Sequence, residues 1–452
     1  MDKTHRELTI LFILPEYYPH SGGGISTYYL HYIKALKPFC ERIKVVVGSG
    51  YVQRDETHML EGVEIEYLGT GLYKNYLSKF SKFNVFGDYK RNLAAAWAMH
   101  EQVNEGNDFD MIECTDFGLG FVPWVIKHNK PVITRLHGST GQVHLHESGG
   151  LDNVSVDFVR QTELLLLPAA DQLITHSSAN QKFWNEAFGN QRVVRIDPVF
   201  YAGTAKPIPL AARENYGLVT ARIQRWKGPV ALCEAMSRMD GPEIPHIRWL
   251  GRDMPYDNGQ SMAQFLTSKF PAVWGKRVLP GRPLGNEQIR ALQAKVKFGL
   301  VPSTWDMFNF TSLEFLGSGT PLICSDGAGC SDLIRHGENG FKYRAKDTLA
   351  LADCLRQVSR MNDREFNKIV TAGLETINTE LSGDKLIPVN MGQYKKAVDN
   401  FIVKKPNPFL ATIYQPTEQV HPVNDILDNL PLKSLINYVA KRVKSKIGAK
   451  RV

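Results

Sequence analysis

Residues 301–332 read VPSTWDMFNFTSLEFLGSGTPLICSDGAGCSD, and their pattern predicts how the rest of the chain is arranged. The apolar run that ends at Val301 predicts a strand, a polar loop follows it, and Thr311–Leu316 predicts a short helix that stops at two glycines. A second buried strand, Pro321–Cys324, comes next. In an open α/β sheet such a loop lies at the carboxyl end of a strand, where the first N–H groups of the helix face a ligand. The stretch therefore predicts an anion-binding site.

Two acidic residues in this stretch, Asp306 and Glu314, are candidates for ligand contacts. Because one lies in the loop and the other lies eight residues later in the helix, both can face a single ligand from different heights. A carboxylate accepts charge-assisted O–H hydrogen bonds on both oxygens, which suits sugar and ribose hydroxyls. The alternative is that Asp306 only caps the helix and that Glu314 lies on a solvated face.

The block resembles the donor-binding signature of the retaining nucleotide-sugar glycosyltransferases of family 4, which have the GT-B fold. That signature is an acidic residue, a Phe-Gly turn, a Glu in the following helix, and then G-x-P before a strand. Its counterparts here are Asp306, Phe308-Asn309, Glu314 and Gly319-Thr320-Pro321, and the likeness extends over roughly residues 9–400. The resemblance implies two doubly wound Rossmann-like domains that face each other across a cleft. It also implies donor contacts from Phe308, Asn309 and Glu314, with Asp306 at the reacting sugar.

The sequence departs from this pattern at two positions. Asp306 stands where the family usually has Glu, so its carboxylate is one methylene shorter. Asn309 stands where the family usually has Gly. Because Asn tolerates the left-handed backbone conformation for which a Gly serves, we expect the turn to survive. The two changes bear on which sugar is held.

Length and composition indicate a globular protein. The 452 residues are enough for two domains that each bury a core, and the apolar content of 43% and charged content of 22% are ordinary. No apolar run approaches the roughly 20 residues of a membrane span. The run Leu8–Leu14 is interpreted as a first strand, because Pro15 and Glu16 end it too early for a signal peptide. Six cysteines without C-x-x-C pairs indicate a reduced, cytoplasmic protein.

The first strand is followed by a loop that contains Gly22 and Gly23 and then by a helix with apolar residues at helical spacing. A glycine run of this kind fits a plain tight turn as well as a nucleotide-binding turn, because the spacing is not G-x-G-x-x-G. The family resemblance implies that the two glycines lie near the donor phosphates and the acceptor, where the backbone can approach closely. Further strands alternate with helices, which predicts parallel, doubly wound sheets.

Three other polar motifs lie in the first half of the chain. Asp108-Phe109-Asp110 matches the D-x-D of metal-dependent glycosyltransferases, but it directly precedes a strand, and we interpret it as a loop cap. His144 and His146 form an H-x-H that lacks a third spaced ligand for zinc, so we predict no metal there. His137 follows a strand at the carboxyl edge of the sheet. An isolated histidine there is commonly structural, whereas the resemblance implies a place beside the transferred sugar.

The second half contains two basic residues before a helix. Arg222 and Lys227 are separated by a loop that ends where the predicted helix Pro229–Met239 begins, which is a place where a diphosphate can be cradled. Either residue alone is commonly a surface charge. The family counterpart is G-R followed by K-G, in which the two side chains hold the leaving diphosphate, although Ala221 replaces the Gly here.

Two glycines that follow strands, Gly251 and Gly281, correspond in the family to glycines near the nucleotide. The resemblance implies backbone contacts to the base from the stretch around Gly281. Ordinary turn chemistry explains a glycine at the end of a strand equally well.

The predicted organisation has two main parts. Residues 1–200 form an N-terminal acceptor-binding Rossmann-like domain, and residues 213–385 form a C-terminal nucleotide-sugar-binding domain. Residues 201–212 are the predicted linker, within a stretch that has three prolines between positions 197 and 209. The resemblance implies a helix over 386–402 that crosses back to the first domain. Residues 403–452 form a basic tail.

The resemblance implies a metal-independent retaining hexosyltransferase of polysaccharide biosynthesis. It would move a sugar from a nucleotide-diphosphate sugar to a hydroxyl of a saccharide or lipid-linked saccharide, without a cofactor. Arg222 and Lys227 would supply the positive potential that a leaving diphosphate requires. Two alternatives stay open: a sugar phosphorylase or nucleotide-sugar epimerase on the same scaffold, or an inactive scaffold. The presence of Arg222, Lys227 and Glu314 together argues against the inactive scaffold.

The tail carries most of the net charge of +8, because nine Lys or Arg residues and three acidic residues follow Ile402. From Leu432 onward apolar residues recur at three and four positions, and basic residues occupy much of the remaining circumference. The pattern predicts a basic amphipathic helix within 432–452. It fits an anionic surface on the inner face of the cytoplasmic membrane and packing on protein equally well. No basic stretch has interleaved aromatics, so no nucleic-acid partner is expected.

Overall fold

The structure is a computed structural model that describes residues 8–147, 154–203, 206–239, 245–257, 259–405, 407–418, 427 and 430–448. Its strands are β1 (Leu8–Leu14), β2 (Cys40–Val47), β3 (Thr57–Leu60), β4 (Val63–Tyr67), β5 (Met111–Thr115), β6 (Val132–Leu136), β7 (Gln172–Thr175), β8 (Val193–Arg195), β9 (Glu214–Thr220), β10 (His246–Leu250), β11 (Pro255–Asp257), β12 (Gln260–Ser261), β13 (Val278–Gly281), β14 (Val296–Val301), β15 (Leu322–Ser325) and β16 (Phe341–Tyr343). Its α-helices are α1 (Gly24–Leu36), α2 (Thr70–Lys79), α3 (Gly87–Gln102), α4 (Val122–Lys127), α5 (Thr140–Glu147), α6 (Val154–Leu166), α7 (Ser178–Phe188), α8 (Pro229–Ser237), α9 (Met262–Lys269), α10 (Asn286–Lys295), α11 (Thr311–Gly317), α12 (Thr348–Arg360), α13 (Asp363–Glu375), α14 (Gly383–Asp399), α15 (Pro408–Tyr414) and α16 (Leu432–Gly448).

The first sheet has the order β3-β4-β2-β1-β5-β6-β7-β8. Its pairs are parallel except for the antiparallel pair of β3 and β4. Successive side chains of β1 enter two different cores: Ile10 and Phe12 pack on one face and Leu11 and Ile13 on the other. A central strand covered on both faces has to be apolar throughout, as β1 is. The order reverses direction between β1 and β5, so the loops after these strands diverge there.

The second sheet has the order β13-β10-β9-β14-β15-β16, and all its pairs are parallel. Its strand order also reverses, between β9 and β14. Ligands of open α/β sheets bind outside the carboxyl ends of the strands at such a reversal. The loops that leave there carry Arg222, Lys227 and Asp306. The prediction of parallel, doubly wound sheets is confirmed.

The chain returns to the first sheet after the second one is complete. Helix α14 packs against α1, and the hydroxyl of Tyr32 donates to that of Tyr394 at 2.7 Å. Helix α15 then packs against α4, and its residue Tyr414 is buried in a core of the first sheet. The indole N–H of Trp97 donates to the carbonyl of Tyr414 at 2.8 Å. Helix α15 was not predicted from the sequence, because seven residues are too few to show helical periodicity.

Helix α16 lies within the part of the tail for which the sequence predicts an amphipathic helix. Positions 449–452 of that prediction lie outside the described residues, and within the helix the side chains are described up to residue 444. Among the described residues, no helix combines the length and the apolar content needed to cross a membrane.

Candidate active site

The loops after β9 and β14 are joined by backbone contacts. The amide of Thr304 donates to the carbonyl of Trp226 at 2.8 Å. Gly228 follows Lys227 with a φ of 81°, and a Cβ on it would lie 1.8 Å from the carbonyl oxygen of Pro302. Only glycine allows this close approach in this conformation. The approach holds Lys227 directly over the acidic loop.

Lys227 and Asp306 form an ion pair in this site. The Nζ atom of Lys227 donates to Oδ2 of Asp306 at 2.5 Å, and both side chains are mostly buried. Burial lowers the pKa of Lys227, and the neighbouring carboxylate of Asp306 opposes that shift. The sequence patterns predicted contacts of the two residues with different parts of a ligand and did not predict that they pair. The alternative that Asp306 caps the helix is wrong, because the N-cap of α11 is Phe310.

Arg222 is exposed beside this pair. Its guanidinium carbon lies 5.9 Å from the ring centroid of Trp226, and Nζ of Lys227 lies 3.9 Å from the same centroid. The positive charge of Arg222 contributes to lowering the pKa of Lys227, as expected for two neighbouring cations. The structure therefore brings the two basic residues together around one tryptophan, and an anion placed there would meet both.

Asn309 adopts the left-handed conformation that the sequence analysis expected. Its φ is 77°, so the turn survives the replacement of the usual glycine. The side chain also gains a contact, because Nδ2 of Asn309 donates to Oδ2 of Asp306 at 2.8 Å. Phe308 is buried, with its ring centroid 5.0 Å from that of Phe310. Asp306 is thus held by Lys227 and Asn309, with a longer bond from Oγ of Ser303 at 3.5 Å.

Glu314 does not lie on a solvated face. It is half-buried on α11, and its Oε2 accepts a hydrogen bond from Nε2 of Gln293 at 2.8 Å. Burial raises the pKa of Glu314, and the bond from Gln293 opposes that rise. Gln293 comes from α10 and was missed by the sequence analysis, since a single glutamine in an amphipathic helix carries no signal of its own. Asp306 and Glu314 therefore have different hydrogen-bond partners, Lys227 and Asn309 for the first and Gln293 for the second.

His137 opens the loop that follows β6. Its ring packs against those of Tyr28 and His176, with centroids 4.9 and 5.1 Å away. Burial lowers the pKa of His137 well below its ordinary value, so the ring is neutral at pH 7. The backbone of the loop is fixed by Asp116, whose two carboxylate oxygens accept from the amides of His137 and Gly138 at 2.8 and 3.2 Å. Asp116 was not predicted as a site residue from the sequence.

A second buried carboxylate, that of Glu163, holds the other end of the same loop. It accepts from Oγ of Ser139 at 2.7 Å and from the amide of Gly141 at 3.1 Å. Burial raises the pKa of Asp116 to about 7 and that of Glu163 to about 8. Two carboxylates that are both hard to ionise therefore determine where His137 lies.

Glu163→Gln is expected to flatten the pH dependence of stability. A carboxyl with a pKa of about 8 in the folded chain, against about 4.3 when unfolded, contributes stability at low pH. That contribution is lost as the pH rises through the folded value. A glutamine keeps an acceptor for Gly141 and can donate to Ser139, but it does not titrate. Melting temperatures between pH 6 and about 9 check this.

The matched control for this measurement is Glu186→Gln, which changes an exposed glutamate. Its melting temperature should fall with pH as steeply as that of the wild type. If Glu163→Gln shows the same slope as well, Glu163 does not titrate in this range.

The glycine loop before α1 lies against the second sheet's helices. A Cβ on Gly22 would lie 2.2 Å from Nδ2 of Asn286, and a Cβ on Gly23 would lie 2.2 Å from a carboxylate oxygen of Glu16. Asn286 also donates to the hydroxyl of Tyr18 at 3.1 Å. The two halves therefore meet at this loop, which places it across the cleft from α10.

Gly251 and Gly281 have packing reasons to be glycine. A Cβ on Gly251 would lie 1.9 Å from the carbonyl oxygen of Ala221, and one on Gly281 would lie 2.6 Å from Cδ2 of Leu250. The amide of Gly251 also bonds to the carbonyl of Gly281 at 3.3 Å. Both lie near the loop of Arg222, but strand-end packing alone explains these residues, and a role toward a nucleotide stays a prediction.

The motifs interpreted as structural have structural partners. Oδ2 of Asp110 accepts from the amide and from the hydroxyl of Thr9, both at 2.9 Å, at the edge of the sheet opposite the cleft. The interpretation of this D-x-D as a loop cap is confirmed. The ring of His146 stacks on that of Trp305 with centroids 4.1 Å apart, and Glu147 accepts a hydrogen bond from the side chain of Gln224. These contacts link α5 to the loops of the second sheet.

Several buried polar atoms without a hydrogen-bond partner lie around the cleft. They are both ring nitrogens of His137, Nε2 of His176, Oε1 of Gln224, Nε1 of Trp226, Oε1 of Gln293 and Oδ1 of Asn309. Buried polar groups are nearly always hydrogen-bonded, so these atoms can form hydrogen bonds with a polar ligand in the cleft. The arrangement can bind a polar, anionic ligand between the two sheets.

Two doubly wound sheets with their carboxyl edges facing one cleft define the GT-B fold. Residues 214–360 match the family model described as glycosyl transferases group 1. The matched range contains the second sheet from β9 to β16, so this part of the protein is similar to a glycosyl transferases group 1 domain. The narrower resemblance to family 4 stays a prediction.

Three known proteins illustrate the likeness. A glycogen synthase of Mycobacterium tuberculosis is 22% identical over 254 residues, covering 52% of this chain and 58% of its own length, so the chain spans less than two thirds of that relative. The sucrose-phosphate synthase structure from Thermosynechococcus elongatus superposes with a TM-score of 0.63 at 16% identity, over 86% of this chain and 99% of the other. The structure of Anabaena HepE with UDP-glucose superposes with a TM-score of 0.59 at 17% identity, over 86% of this chain and 99% of the other. At these identities the two structures establish the fold.

Proposed function

We propose that the protein is a retaining glycosyltransferase that moves a sugar from a nucleotide-diphosphate sugar to an acceptor hydroxyl. The observation that carries the proposal is the cluster of Arg222, Lys227 and Asp306 at the strand reversal of the second sheet, with Glu314 on the helix that follows the acidic loop. Two cations suit a diphosphate, and two carboxylates suit the hydroxyls of a sugar and a ribose. The structure of HepE with UDP-glucose supports a donor of this class.

The cations would stabilise the leaving group. When the anomeric bond breaks, negative charge builds on the diphosphate, and fixed positive groups lower the energy of that state by roughly 3 to 4 kcal/mol per good donor. Lys227 is held by Asp306 at 2.5 Å without a ligand. A diphosphate would therefore compete with a carboxylate for this ammonium group, and Arg222, which is exposed, would meet it first.

The acceptor would lie against the first sheet. The neutral ring of His137 has two nitrogens without hydrogen-bond partners, so it can both donate to and accept from sugar hydroxyls. The acceptor hydroxyl would attack on the face from which the diphosphate departs, with a phosphate oxygen taking its proton. No protein base is needed in this scheme, and the acceptor is a saccharide or a lipid-linked saccharide.

The test is incubation with a panel of nucleotide sugars, with released nucleoside diphosphate and the melting temperature as readouts. One nucleotide sugar should raise the melting temperature and be hydrolysed slowly, and faster with an acceptor. Turnover of a disaccharide with inorganic phosphate, and none of any nucleotide sugar, would instead identify a phosphorylase. No response to any member would indicate an inactive scaffold.

Activity is expected to survive EDTA. Arg222 and Lys227 would supply the charge for which other transferases use a metal ion, and the D-x-D carboxylate of Asp110 is bonded to Thr9. Initial rates with and without EDTA, after dialysis against chelator, make the measurement. Loss of activity that manganese restores would contradict the expectation.

Asp306→Asn is expected to separate nucleotide binding from transfer. Removing the carboxylate frees Lys227 for the diphosphate, so binding of the free nucleoside diphosphate should stay equal or tighten. Transfer should fall at least about tenfold, because the sugar loses a charged acceptor. Glu314→Gln should instead weaken binding of the free nucleoside diphosphate, since we propose that Glu314 contacts the ribose. Calorimetric titration of both variants checks this, and equal weakening in the two would show that the roles are misassigned.

A further inference from the structure

Helix α16 is largely exposed in the part of the chain that the structure describes. Apart from Leu435, which is half-buried, every side chain described between positions 432 and 444 is exposed. None of them belongs to the hydrophobic cores. Leu432 is 72% exposed, Ile436 59%, Val439 57% and Val443 50%. An apolar helix face that is exposed to this extent indicates that another molecule binds to it.

The exposed apolar residues share one side of the helix. At 3.6 residues per turn, Leu432, Leu435, Ile436, Val439 and Val443 fall within an arc of about 100°. Lys433 and Arg442 lie on either side of that arc, and Lys441 lies opposite. The sequence of α16 contains no acidic residue. The helix therefore presents an apolar stripe bordered by positive charge.

Charge decides among the occupants. A second copy of α16 would bring the same basic residues together and would be repelled. A groove on the described part of this protein's own body would have left the stripe buried, whereas most of its residues are exposed. An anionic lipid surface accepts the stripe among acyl chains while the flanking lysine and arginine side chains reach the headgroups. Of these three candidate partners, only an anionic lipid surface matches both the apolar stripe and the positive charge beside it.

Helix α15, which precedes α16 in the tail, also exposes apolar residues. Helix α15 is anchored on the first sheet through Tyr414, and Nζ of Lys82 donates to the carbonyl of Thr412 at 2.9 Å. On α15 the side chains of Phe409 and Ile413, one turn apart, are 80% and 46% exposed. The apolar residues of the tail therefore begin on the half of the protein that we assign to the acceptor.

We propose that α16 is a docking helix for an anionic lipid surface, with Phe409 and Ile413 as a second point of contact. The inference does not depend on the proposed function, because it rests on exposure and charge in the tail. If the proposed glycosyl transfer uses a lipid-linked acceptor, it would take place at the same lipid surface.

The test is sedimentation of the full-length protein with vesicles of phosphatidylcholine alone or mixed with phosphatidylglycerol, at low and high salt. No nucleotide sugar is present, so the result is independent of glycosyl transfer. The wild type should pellet with the anionic vesicles at low salt, stay in solution with the neutral ones, and be partly released by high salt.

Two sets of substitutions localise the contact. K433E/K441E/R442E/K444E and I436S/V439S/V443S should each bind at least about tenfold more weakly, because they remove the charge and the stripe in turn. The control K276E/R364E/K368E/K385E reverses four exposed charges elsewhere and should bind as the wild type does. Unchanged melting temperatures verify that the variants fold.

The proposal fails if the wild type stays in the supernatant with anionic vesicles at low salt. It also fails if the charge-reversed tail binds as tightly as the wild type. Retention on immobilised poly-glutamate without binding to vesicles would assign α16 to an acidic protein and overturn the lipid assignment.

Discussion

Lys227→Ala is expected to lower sugar transfer at least about 100-fold, and Arg222→Ala is expected to do the same, which corresponds to roughly 2.7 kcal/mol of transition-state stabilisation. Both cations surround one tryptophan at the strand reversal of the second sheet. The loss should appear in kcat as well as in kcat/KM, because the charge on the leaving diphosphate develops only as the bond breaks. The measurement is steady-state transfer with the nucleotide sugar selected from the panel.

The matched control is Arg225→Ala. Arg225 lies in the same turn and is exposed, but it has no contact with Asp306 or Trp226 among those described. It should reduce activity less than about threefold. Near-normal activity of both Arg222→Ala and Lys227→Ala would contradict the proposal that these two side chains bind the diphosphate. Equal losses in all three variants would indicate a general effect of positive charge near the cleft.

Glu113→Ala is expected to destabilise the fold by about 3 to 5 kcal/mol, because it leaves the guanidinium of Arg135 buried without a counter-charge. The two side chains are fully buried, and Nε of Arg135 donates to Oε1 of Glu113 at 2.7 Å. Tyr29 donates to the same oxygen at 2.8 Å, and Tyr394 of α14 donates to the other. The pair therefore fastens the returning helix to the first sheet.

The free energies of unfolding of Glu113→Ala and of the control Asp353→Ala, both from urea titrations, measure this effect. Asp353 forms an exposed ion pair with Arg356, so its loss should cost no more than about 1 kcal/mol. Replacing both buried charges by apolar residues should cost less than Glu113→Ala, since neither charge is then left alone. If Glu113→Ala costs no more than Asp353→Ala, the network does not hold α14.

The sequence predicted the parts of the site that local patterns encode. An apolar run that ends in a polar loop showed where β14 stops, and Asn309 could replace a glycine because it tolerates positive φ, which the value of 77° confirms. The spacing of Arg222 and Lys227 before a helix predicted that the two side chains lie together, and both lie beside Trp226. Each of these inferences uses only neighbouring residues.

The pairings across the fold could not be predicted in this way. The bond between Lys227 and Asp306 joins residues 79 positions apart, and that between Gln293 and Glu314 joins two helices. Both depend on strand order, which alternation of strands and helices does not specify. Asp116 and Glu163 look like ordinary surface acids until the loop of His137 is seen to lie on them. One signal was available: Glu113 and Arg135 are opposite charges within apolar strand sequences, which commonly marks a buried pair.

The most direct measurement compares calorimetric affinities for the nucleoside diphosphate and nucleoside monophosphate of the preferred base. If Arg222 and Lys227 hold a diphosphate, the wild type binds the diphosphate at least about tenfold more tightly, and Arg225→Ala keeps this difference. Lys227→Ala and Arg222→Ala should each reduce it while leaving the monophosphate affinity nearly unchanged. Equal affinity of the wild type for the two nucleotides, or a difference that survives in both variants, would contradict the proposed donor site.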